Sequence, residues 1–306
     1  MKKLFFIPVL VAGILLIFSC DPDRRCLDGN GNYITEVRNI VGTFSGIEMD
    51  GSFNVYVKKD SIASVEVDAD QNIQKYIITR VRSNRLLIES EKNCFDTDLP
   101  INIYVTMPYA DYIILDGSGY IEVDSLDAQK VIIELNGSGE IFADYIYTSV
   151  SENYLTGSGY ITLNNVAADE FNAEHDGSGT IEVRSLFVND VYANLDGSGE
   201  IEIYGIDGPD YMAHRITATI GGSGNIELEG YADNTKLSIE GSGNIKSFRL
   251  YQNDCNAYIS GSGSIYVFVY DYLDVNIPGS GIVFYRGRPA ITLYGSTRID
   301  QVLQSN

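Results

Sequence analysis

Nine Gly-Ser-Gly triplets, spaced about 20 residues apart, constrain this chain of 306 residues more than any other feature. They begin at Gly117, Gly137, Gly157, Gly177, Gly197, Gly222, Gly241, Gly261 and Gly279. The intervals between them are 20, 20, 20, 20, 25, 19, 20 and 18 residues. Imperfect copies flank the array at Gly51-Ser52-Phe53 and Gly295-Ser296-Thr297. A fixed period of this size predicts a repeat architecture, in which each repeat is one structural unit.

The positions around each triplet repeat as well. Counted from the first glycine, position +4 is isoleucine in eight repeats and Val283 in the ninth, and position −2 is leucine or isoleucine in eight and His175 in the other. Positions −4 and +6 are mostly apolar, and a strand period of two places all four offsets on one face. A half-buried strand is therefore expected on either side of each triplet. Both glycines are expected to face inwards at a corner that requires a positive φ or leaves no room for a Cβ, with the serine outside.

This pattern favours an all-β parallel β-helix, in which about 20 residues form one rung and like positions stack in columns. The composition agrees, since the chain has 22 Tyr, 12 Phe and 30 Gly but only 7 Pro. Irregular β caps are expected, because an open solenoid end exposes a template edge. We expect a single β-helix domain at residues 37–300, with an N-terminal β region at 37–112 and the repeat array at 113–300. A β-propeller with two repeats per blade is the second interpretation.

Residues 1–19 are interpreted as a signal peptide. Lys2 and Lys3 precede an apolar run at residues 4–18, which is short for a membrane span. The run ends in Ile17-Phe18-Ser19-Cys20, which resembles the lipobox of bacterial lipoproteins and implies a lipidated Cys20, followed by a tether at residues 20–36. An ordinary secretory signal with a chance cysteine is the alternative. The resemblance implies an outer-membrane lipoprotein of the bacterial cell envelope, either periplasmic or surface-exposed.

The mature chain is strongly acidic. Removal of residues 1–19 takes away two lysines and no acid, so 21 basic residues become 19 against 42 acidic ones, and the net charge changes from −21 to −23. Nucleic acid and anionic membrane surfaces are poor partners for such a chain. Cations and basic partners remain open.

Three cysteines follow Cys20. An envelope location permits a disulfide, and three thiols allow at most one within the chain. Cys26 and Cys94 lie in polar, turn-rich segments that flank the N-terminal region, so this pair is favoured, and Cys255 is then a free, buried thiol. The sequence has no Cys-x-x-Cys motif and no Cys/His cluster, so neither a metal centre nor a cofactor is expected.

A family resemblance adds to this interpretation. Residues 47–57, with the sequence Ile-Glu-Met-Asp-Gly-Ser-Phe-Asn-Val-Tyr-Val, and the later Asp-Gly-Ser-Gly runs resemble the head GIN domain family of auto-transporter adhesins. The resemblance covers roughly residues 37–285. It implies a right-handed parallel β-helix in a lipoprotein or secreted protein of the Bacteroidetes type. It supplies no catalytic residue, and none is assigned.

Serine between glycines is a familiar setting for a nucleophile, but the repetition argues against that role. Nine equivalent serines cannot share two histidines, His175 and His214, and no Gly-x-Ser-x-Gly elbow is present. His175 occupies a leucine and isoleucine column and is interpreted as a core histidine. His214 lies in the 25-residue interval, where residues 205–210 predict an inserted loop, with Tyr211 and Arg215 beside it. Loops on a rigid scaffold often carry function, but an incidental insertion is favoured here.

Two sets of outward side chains are candidates for binding. An acidic patch over three rungs is interpreted as a solvated face, on which a divalent cation would relieve the repulsion between stacked carboxylates. Its members are Asp176, Asp196, Glu182, Glu200, Glu202 and Glu227. Outward tyrosines suit interfaces and sugar stacking. They are Tyr120, Tyr160, Tyr145, Tyr147, Tyr204 and Tyr266.

Three hypotheses for function remain open. The favoured one is a lipid-anchored envelope protein whose rigid β-helix presents a surface for adhesion to an unidentified glycan or protein. A polysaccharide lyase or hydrolase of the β-helix type is the second, and it requires acids and bases clustered in a groove. The third is a structural or assembly subunit that forms homo-oligomers through its side or its end.

Overall fold

The computed structural model describes residues 26–92 and 94–305, so the predicted signal peptide at 1–19 and the predicted lipidation site at Cys20 lie outside the described residues. The described chain forms a β-solenoid of about ten turns with about 20 residues per turn. The predicted fold class is therefore confirmed. Neighbouring turns are parallel, and equivalent positions pair in register.

The N-terminal cap and the first turn consist of nine short strands. These are β1 (Leu27–Asp28), β2 (Tyr33–Val37), β3 (Gly46–Gly51), β4 (Asn54–Lys59), β5 (Ser64–Asp70), β6 (Ile77–Arg82), β7 (Arg85–Ser90), β8 (Phe95–Asp96) and β9 (Asn102–Met107), with a 3₁₀ helix at Gln74–Tyr76. Strand β5 pairs with β2 and β9 in antiparallel fashion, and β6 pairs with β7 in the same way. Strands β7 and β9 lie parallel against β3 and β4. They cover the first edge of the solenoid. Without this cover, the unpaired backbone groups of the edge would be open to pairing with another chain.

The array itself runs from β10 to β27. Its strands are β10 (Tyr112–Gly117), β11 (Tyr120–Asp127), β12 (Lys130–Gly137), β13 (Glu140–Tyr147), β14 (Val150–Gly157), β15 (Tyr160–Ala167), β16 (Glu170–Gly177), β17 (Thr180–Val183), β18 (Leu186–Phe187), β19 (Asp190–Gly197), β20 (Glu200–Asp207), β21 (Ala213–Ile220), β22 (Asn225–Ile239), β23 (Asn244–Ile259), β24 (Ser264–Asn276), β25 (Ile282–Gly287), β26 (Ala290–Tyr294) and β27 (Val302–Gln304), with a second 3₁₀ helix at Ile299–Gln301. Strand residues that precede a triplet form the upstream flank of the solenoid, and those that follow it form the downstream flank. The imperfect copy at residues 51–53 likewise lies between an upstream and a downstream strand, because β3 pairs with β10 and β4 pairs with β11.

The triplets form the corner between the two flanks. In all nine copies the serine is exposed and the second glycine is buried, as predicted, whereas the first glycine is half-buried. An added Cβ at Gly159 would overlap the carbonyl oxygen of Gly139 in the preceding turn. Gly157 has a φ of 121°, and its carbonyl oxygen accepts hydrogen bonds from the amides of Ser178 and Gly179 at 2.8 and 3.1 Å. The corner is thus closed by direct backbone contact between turns, which leaves room only for glycine.

The predicted apolar columns are buried between the flanks. The eight isoleucines at position +4 and Val283 are fully excluded from solvent. His175 is 2% exposed and lies in the −2 column between Leu155 and Leu195. Its Nδ1 is 3.0 Å from the carbonyl oxygen of Leu155, and its Nε2 is 2.9 Å from that of Gly179. The prediction of a core histidine is confirmed.

The structure joins Cys26 to Cys94 by a disulfide across 68 residues of sequence. Strands β1 and β8 begin directly after these cysteines and pair in parallel. The bond therefore ties the start of the described chain to the cap. Cys255 is free and buried, as expected, and burial raises the pKa of its thiol to about 12. A thiol in this state is a poor nucleophile.

A side chain closes the last corner at the C-terminal end. Gln301 is 3% exposed and directly precedes β27, which pairs with β25. Its Nε2 donates to the carbonyl oxygens of Gly279 and Gly281 at 3.2 and 3.3 Å. In the preceding turns, the equivalent glycine carbonyls accept hydrogen bonds from backbone amides of the next turn. The glutamine side chain takes the place of those amides.

Candidate functional site

The downstream flank opens into a cleft where β23 bulges. Residues 248–250 have no partners in β24, because Ser247 pairs with Val267 and Tyr251 pairs with Phe268. Against β22 the same segment includes one extra residue. A bulge bends its strand and re-aims the side chains on it. The local excess of residues in β23 therefore produces a concave site on this flank.

The cleft has a volume of about 380 Å³ and combines aromatic, charged and amide side chains. Its lining residues are Glu227, Leu228, Asn244, Lys246, Phe248, Arg249 and Tyr266. Concave sites that mix apolar surface with a few polar groups are typical of small-ligand binding.

Phe248 and Tyr266 form the aromatic wall of the cleft. Their ring centroids are 5.5 Å apart and the rings are nearly perpendicular, at 77°. Tyr266 stacks on Phe284 of the next turn at 5.0 Å and 9°. The guanidinium carbon of Arg286 lies 4.2 Å from the ring centroid of Phe248. These contacts hold both rings in a fixed orientation, so the wall is organised without a ligand.

Charged groups lie beside this wall. Lys246 is exposed and is in register with Glu227 of the preceding turn. The Nη2 of Arg249 contacts a carboxylate oxygen of Glu229 at 2.7 Å, and the pair is partly exposed. Together with the amide of Asn244, the cleft offers both hydrogen-bond donors and acceptors next to aromatic rings.

The predicted acidic patch is divided by the triplet corner. Glu182, Glu202 and Glu227 lie in register on the downstream flank, whereas Asp176 and Asp196 lie in register on the upstream flank. Of the six predicted acids, only Glu227 lines the cleft. The acids of the predicted patch therefore lie in two columns, one on each side of the corner.

The glutamates on the downstream flank repel one another. Burial raises the pKa of Glu202, and the charges of three neighbouring glutamates raise it further, against a hydrogen bond from Tyr204 that lowers it. Burial, followed by the charge of Glu202, raises the pKa of Tyr204 to about 12, so its hydroxyl remains a donor. The column of stacked glutamates ends at the cleft, where Lys246 is in register with Glu227 and Tyr266 is in register with Lys246.

The six predicted tyrosines do not form one surface. Tyr266 lines the cleft. Tyr145 and Tyr147 stack on each other at the end of β13, with ring centroids 6.3 Å apart. Tyr160 is 56% exposed elsewhere on the downstream flank. The other two hydrogen-bond to glutamates of their own strands.

The insertion in the 25-residue interval is smaller than predicted. Residues 205–207 belong to β20, and the loop proper spans 208–212, where Tyr211 is 83% exposed with a φ of 64°. His214 and Arg215 lie in β21, with Nδ1 and Nε at 3.7 and 3.8 Å from a carboxylate oxygen of Asp190. None of these residues lines the cleft.

Asn244, Phe248 and Arg249 were not predicted as site residues, although the sequence contains two signals for them. The turn that contains β23 occupies an interval of 20 residues between intervals of 19 and 18, so it is longer than both neighbours. Position +6, apolar in most turns, is Ser247 in this one, and its Oγ donates to the carbonyl oxygen of Tyr266 at 2.8 Å. A long turn between two shorter ones predicts a bulge.

A family model with the description "Putative auto-transporter adhesin, head GIN domain" matches residues 43–208 and 206–289. The two matches together cover most of the chain, and the chain therefore belongs to this family. The resemblance seen in the sequence is confirmed. A comparison with curated proteins finds no match.

Crystal structures of Parabacteroides proteins resemble this chain to different degrees. A "putative adhesin" from Parabacteroides distasonis is 19% identical with a TM-score of 0.51, over 92% of this chain and 98% of that chain. A "putative lipid binding protein" from the same species is 23% identical with a TM-score of 0.49, over 92% of this chain and 100% of that chain. A "putative adhesin" from Parabacteroides merdae is 18% identical with a TM-score of 0.42, over 91% and 95%. The first likeness supports the fold alone.

Within the described part of the chain, no helix has the length and apolar character needed to traverse a bilayer.

Proposed function

We propose that this protein is a lipid-anchored adhesin of the bacterial cell envelope that binds a glycan in the cleft beside β23. The observation behind this proposal is that Phe248 and Tyr266 present aromatic rings next to the ammonium of Lys246 and the carboxylate of Glu227. Sugar rings stack on aromatic faces, while their hydroxyl groups hydrogen-bond to charged and amide side chains. The family description as an adhesin supports a binding role.

The walls of the cleft are rigid, so ligand binding there requires no large conformational change. Its walls are strand residues stacked between turns, and Phe284 and Arg286 brace the two aromatic rings. Sites on rigid elements lose less conformational entropy when a ligand binds. A solenoid anchored at Cys20 would hold such a site away from the membrane surface.

Binding of the full chain, purified in detergent, to a glycan array tests this proposal. Phe248→Ala and Tyr266→Ala are each expected to reduce affinity for a bound glycan about 10-fold, since a lost stacking contact of about 1.4 kcal/mol corresponds to that factor. Tyr160→Ala is the matched control, because it removes an exposed tyrosine of the same flank that does not line the cleft. Its affinity should equal that of the parent.

Three results would contradict the proposal. Unchanged affinity in both cleft variants, with a native circular dichroism spectrum, would locate binding elsewhere on the surface. No binding across the array would refute a glycan ligand. Turnover of a polysaccharide that is lost in Glu227→Gln would identify a β-helix enzyme in place of an adhesin.

A further inference from the structure

The N-terminal cap contains an acidic cavity separate from the proposed glycan site. Its volume is about 400 Å³, and it is lined by Asp28, Gly29, Gly31, Asp70, Asp96, Thr97, Asp98 and Leu99. Four of these residues are aspartates and none is basic. Within residues 26–92 and 94–305, none of the four aspartates takes part in an ion pair. The cavity therefore concentrates negative charge that no basic side chain of residues 26–92 and 94–305 pairs with.

Asp70 differs from the other three aspartates in its burial. Its side chain lines the cavity, yet the residue is only 3% exposed. Its Oδ2 accepts a hydrogen bond from the hydroxyl of Thr97 at 2.6 Å, whereas its Oδ1 is buried and has no hydrogen-bond partner among the described residues. A buried carboxylate oxygen without a partner is costly, and its presence in a native fold requires an explanation. A cation bound by the Asp70 carboxylate would compensate this buried negative charge.

The segments around the cavity have the residue types that calcium prefers. Asp28-Gly29-Asn30-Gly31-Asn32 places Asp, Asn and Asn at alternate positions, as at the start of an EF-hand loop. The glycine at the sixth position of that pattern is not matched, so the similarity concerns the ligand types alone. Asp96-Thr97-Asp98 repeats the alternation on the other side, and Asp28 and Asp96 pair in the register of β1 and β8. Asp28, Asp96, Thr97 and Asp98 of these two segments line the cavity, whereas Asn30 and Asn32 do not.

We infer that this cavity binds Ca²⁺, with Asp70 as its buried ligand and Asp28, Asp96 and Asp98 as ligands from the surface. Ca²⁺ accepts about six to eight oxygens in irregular geometry and combines carboxylates with carbonyl groups and water, whereas Mg²⁺ requires a near-ideal octahedron. No three acidic side chains of the described residues are already arranged to hold a metal ion. The three exposed aspartates therefore rotate inwards as the ion binds.

The cation site lies beside the disulfide, because β1 and β8 begin directly after Cys26 and Cys94. The ion and the covalent bond fasten the same two segments of the cap. A ligand that binds only the folded state raises its stability by mass action. Calcium thus stabilises the cap, and this inference does not depend on glycan binding at β23.

Isothermal titration calorimetry and thermal unfolding of the full chain, purified in detergent and stripped with EDTA, test the inference. Ca²⁺ is expected to bind with a Kd on the order of 0.1–1 mM, as in extracellular calcium modules, and to raise the Tm, while Mg²⁺ binds about 10-fold more weakly or worse. Asp98→Asn and Asp70→Asn should each weaken Ca²⁺ binding by about 10-fold or more, since each removes a charged ligand. Asp176→Asn, which removes an exposed aspartate of the upstream flank, is the matched control and should bind Ca²⁺ like the parent.

Equal Ca²⁺ affinity in the parent, Asp98→Asn and Asp70→Asn would overturn the inference, as would an unchanged Tm at about 10 mM CaCl₂. Equal effects of Ca²⁺ and Mg²⁺ would also overturn it, because they would indicate general screening of a strongly acidic chain. If Asp70→Asn fails to fold, Asp98→Asn and Asp28→Asn decide the outcome, since both positions are exposed.

Discussion

Glu202 lies between Glu182 and Glu227 in the stacked turns of the downstream flank. Stacking in register places equivalent side chains about 4.8 Å apart, so like charges in one column repel. Burial and this repulsion raise the pKa of Glu202. The folded state therefore favours the protonated form more strongly than the unfolded chain does.

Glu202→Gln is expected to be more stable than the parent at pH 7, by about 0.5 kcal/mol or about 1–2 °C in Tm. Because the folded pKa lies above the unfolded value of about 4.3, the stability contributed by protonated Glu202 is present below that pH and is lost as pH rises through the folded pKa. The stability gained in Glu202→Gln should therefore vanish at about pH 3.5. Thermal unfolding at pH 7 and at about pH 3.5, followed by circular dichroism, measures the difference in Tm between this variant and the parent.

Glu140→Gln provides the comparison for this pH effect. Glu140 lies in register between Tyr120 and Tyr160, so no carboxylate stacks directly on it. Its replacement should leave the Tm nearly unchanged at both pH values. A gain for Glu202→Gln that does not vary with pH would contradict the electrostatic explanation.

The corner between two strands depends on the second glycine of each triplet. Gly159→Ala is expected to lower the free energy of unfolding by about 1–3 kcal/mol or more, because the new Cβ overlaps the carbonyl oxygen of Gly139 and the side chain of Leu135. Gly159 is not among the glycines with positive φ, so the loss reports lack of space alone. Urea unfolding followed by tyrosine fluorescence suits this chain, which has 22 Tyr and no Trp.

Ser158→Ala tests the adjacent position of the same corner. Its side chain is exposed, so removal of the hydroxyl should change the free energy of unfolding by no more than about 0.5 kcal/mol. A loss as large as that of Gly159→Ala would mean that the corner depends on the serine rather than on close approach of the backbones.

The two-residue period of apolar positions predicts the regular strands, but it does not locate the bulge in β23. Offsets of equal parity fix which residues face inwards, and Ile245 and Ile265 are fully buried as that rule requires. The same period does not show where a strand contains extra residues that have no pairing partner in the neighbouring strand. Residues 248–250 have no partners in β24. In the sequence, this excess is indicated by the lengths of three successive turns and by Ser247 at a position that is apolar in most turns.

The arrangement of the two flanks and of the N-terminal cap depends on contacts between segments that are distant in sequence. The sequence predicted a corner at each triplet and outward positions for Asp176 and Glu182, but it did not separate these acids, which lie on different flanks. The cap pairs Tyr33–Val37 with Ser64–Asp70 in antiparallel fashion, and these segments share no repeat from which the pairing could be inferred. Long-range pairing of this kind is set by tertiary packing rather than by local pattern.

The proposed lipid anchor lies at Cys20, which precedes Cys26 of the cap by six residues. In a bacterial host that processes lipoproteins, the parent chain is expected to partition into the membrane fraction, because several acyl chains on one residue bind a bilayer firmly. Cys20→Ser should move the protein to the soluble envelope fraction, as measured by fractionation and by mass spectrometry of the N-terminal peptide. Cys255→Ala removes a buried cysteine and should leave the membrane partition unchanged. Retention of Cys20→Ser in the membrane fraction, or an unmodified Cys20 in the parent, would refute the lipid anchor.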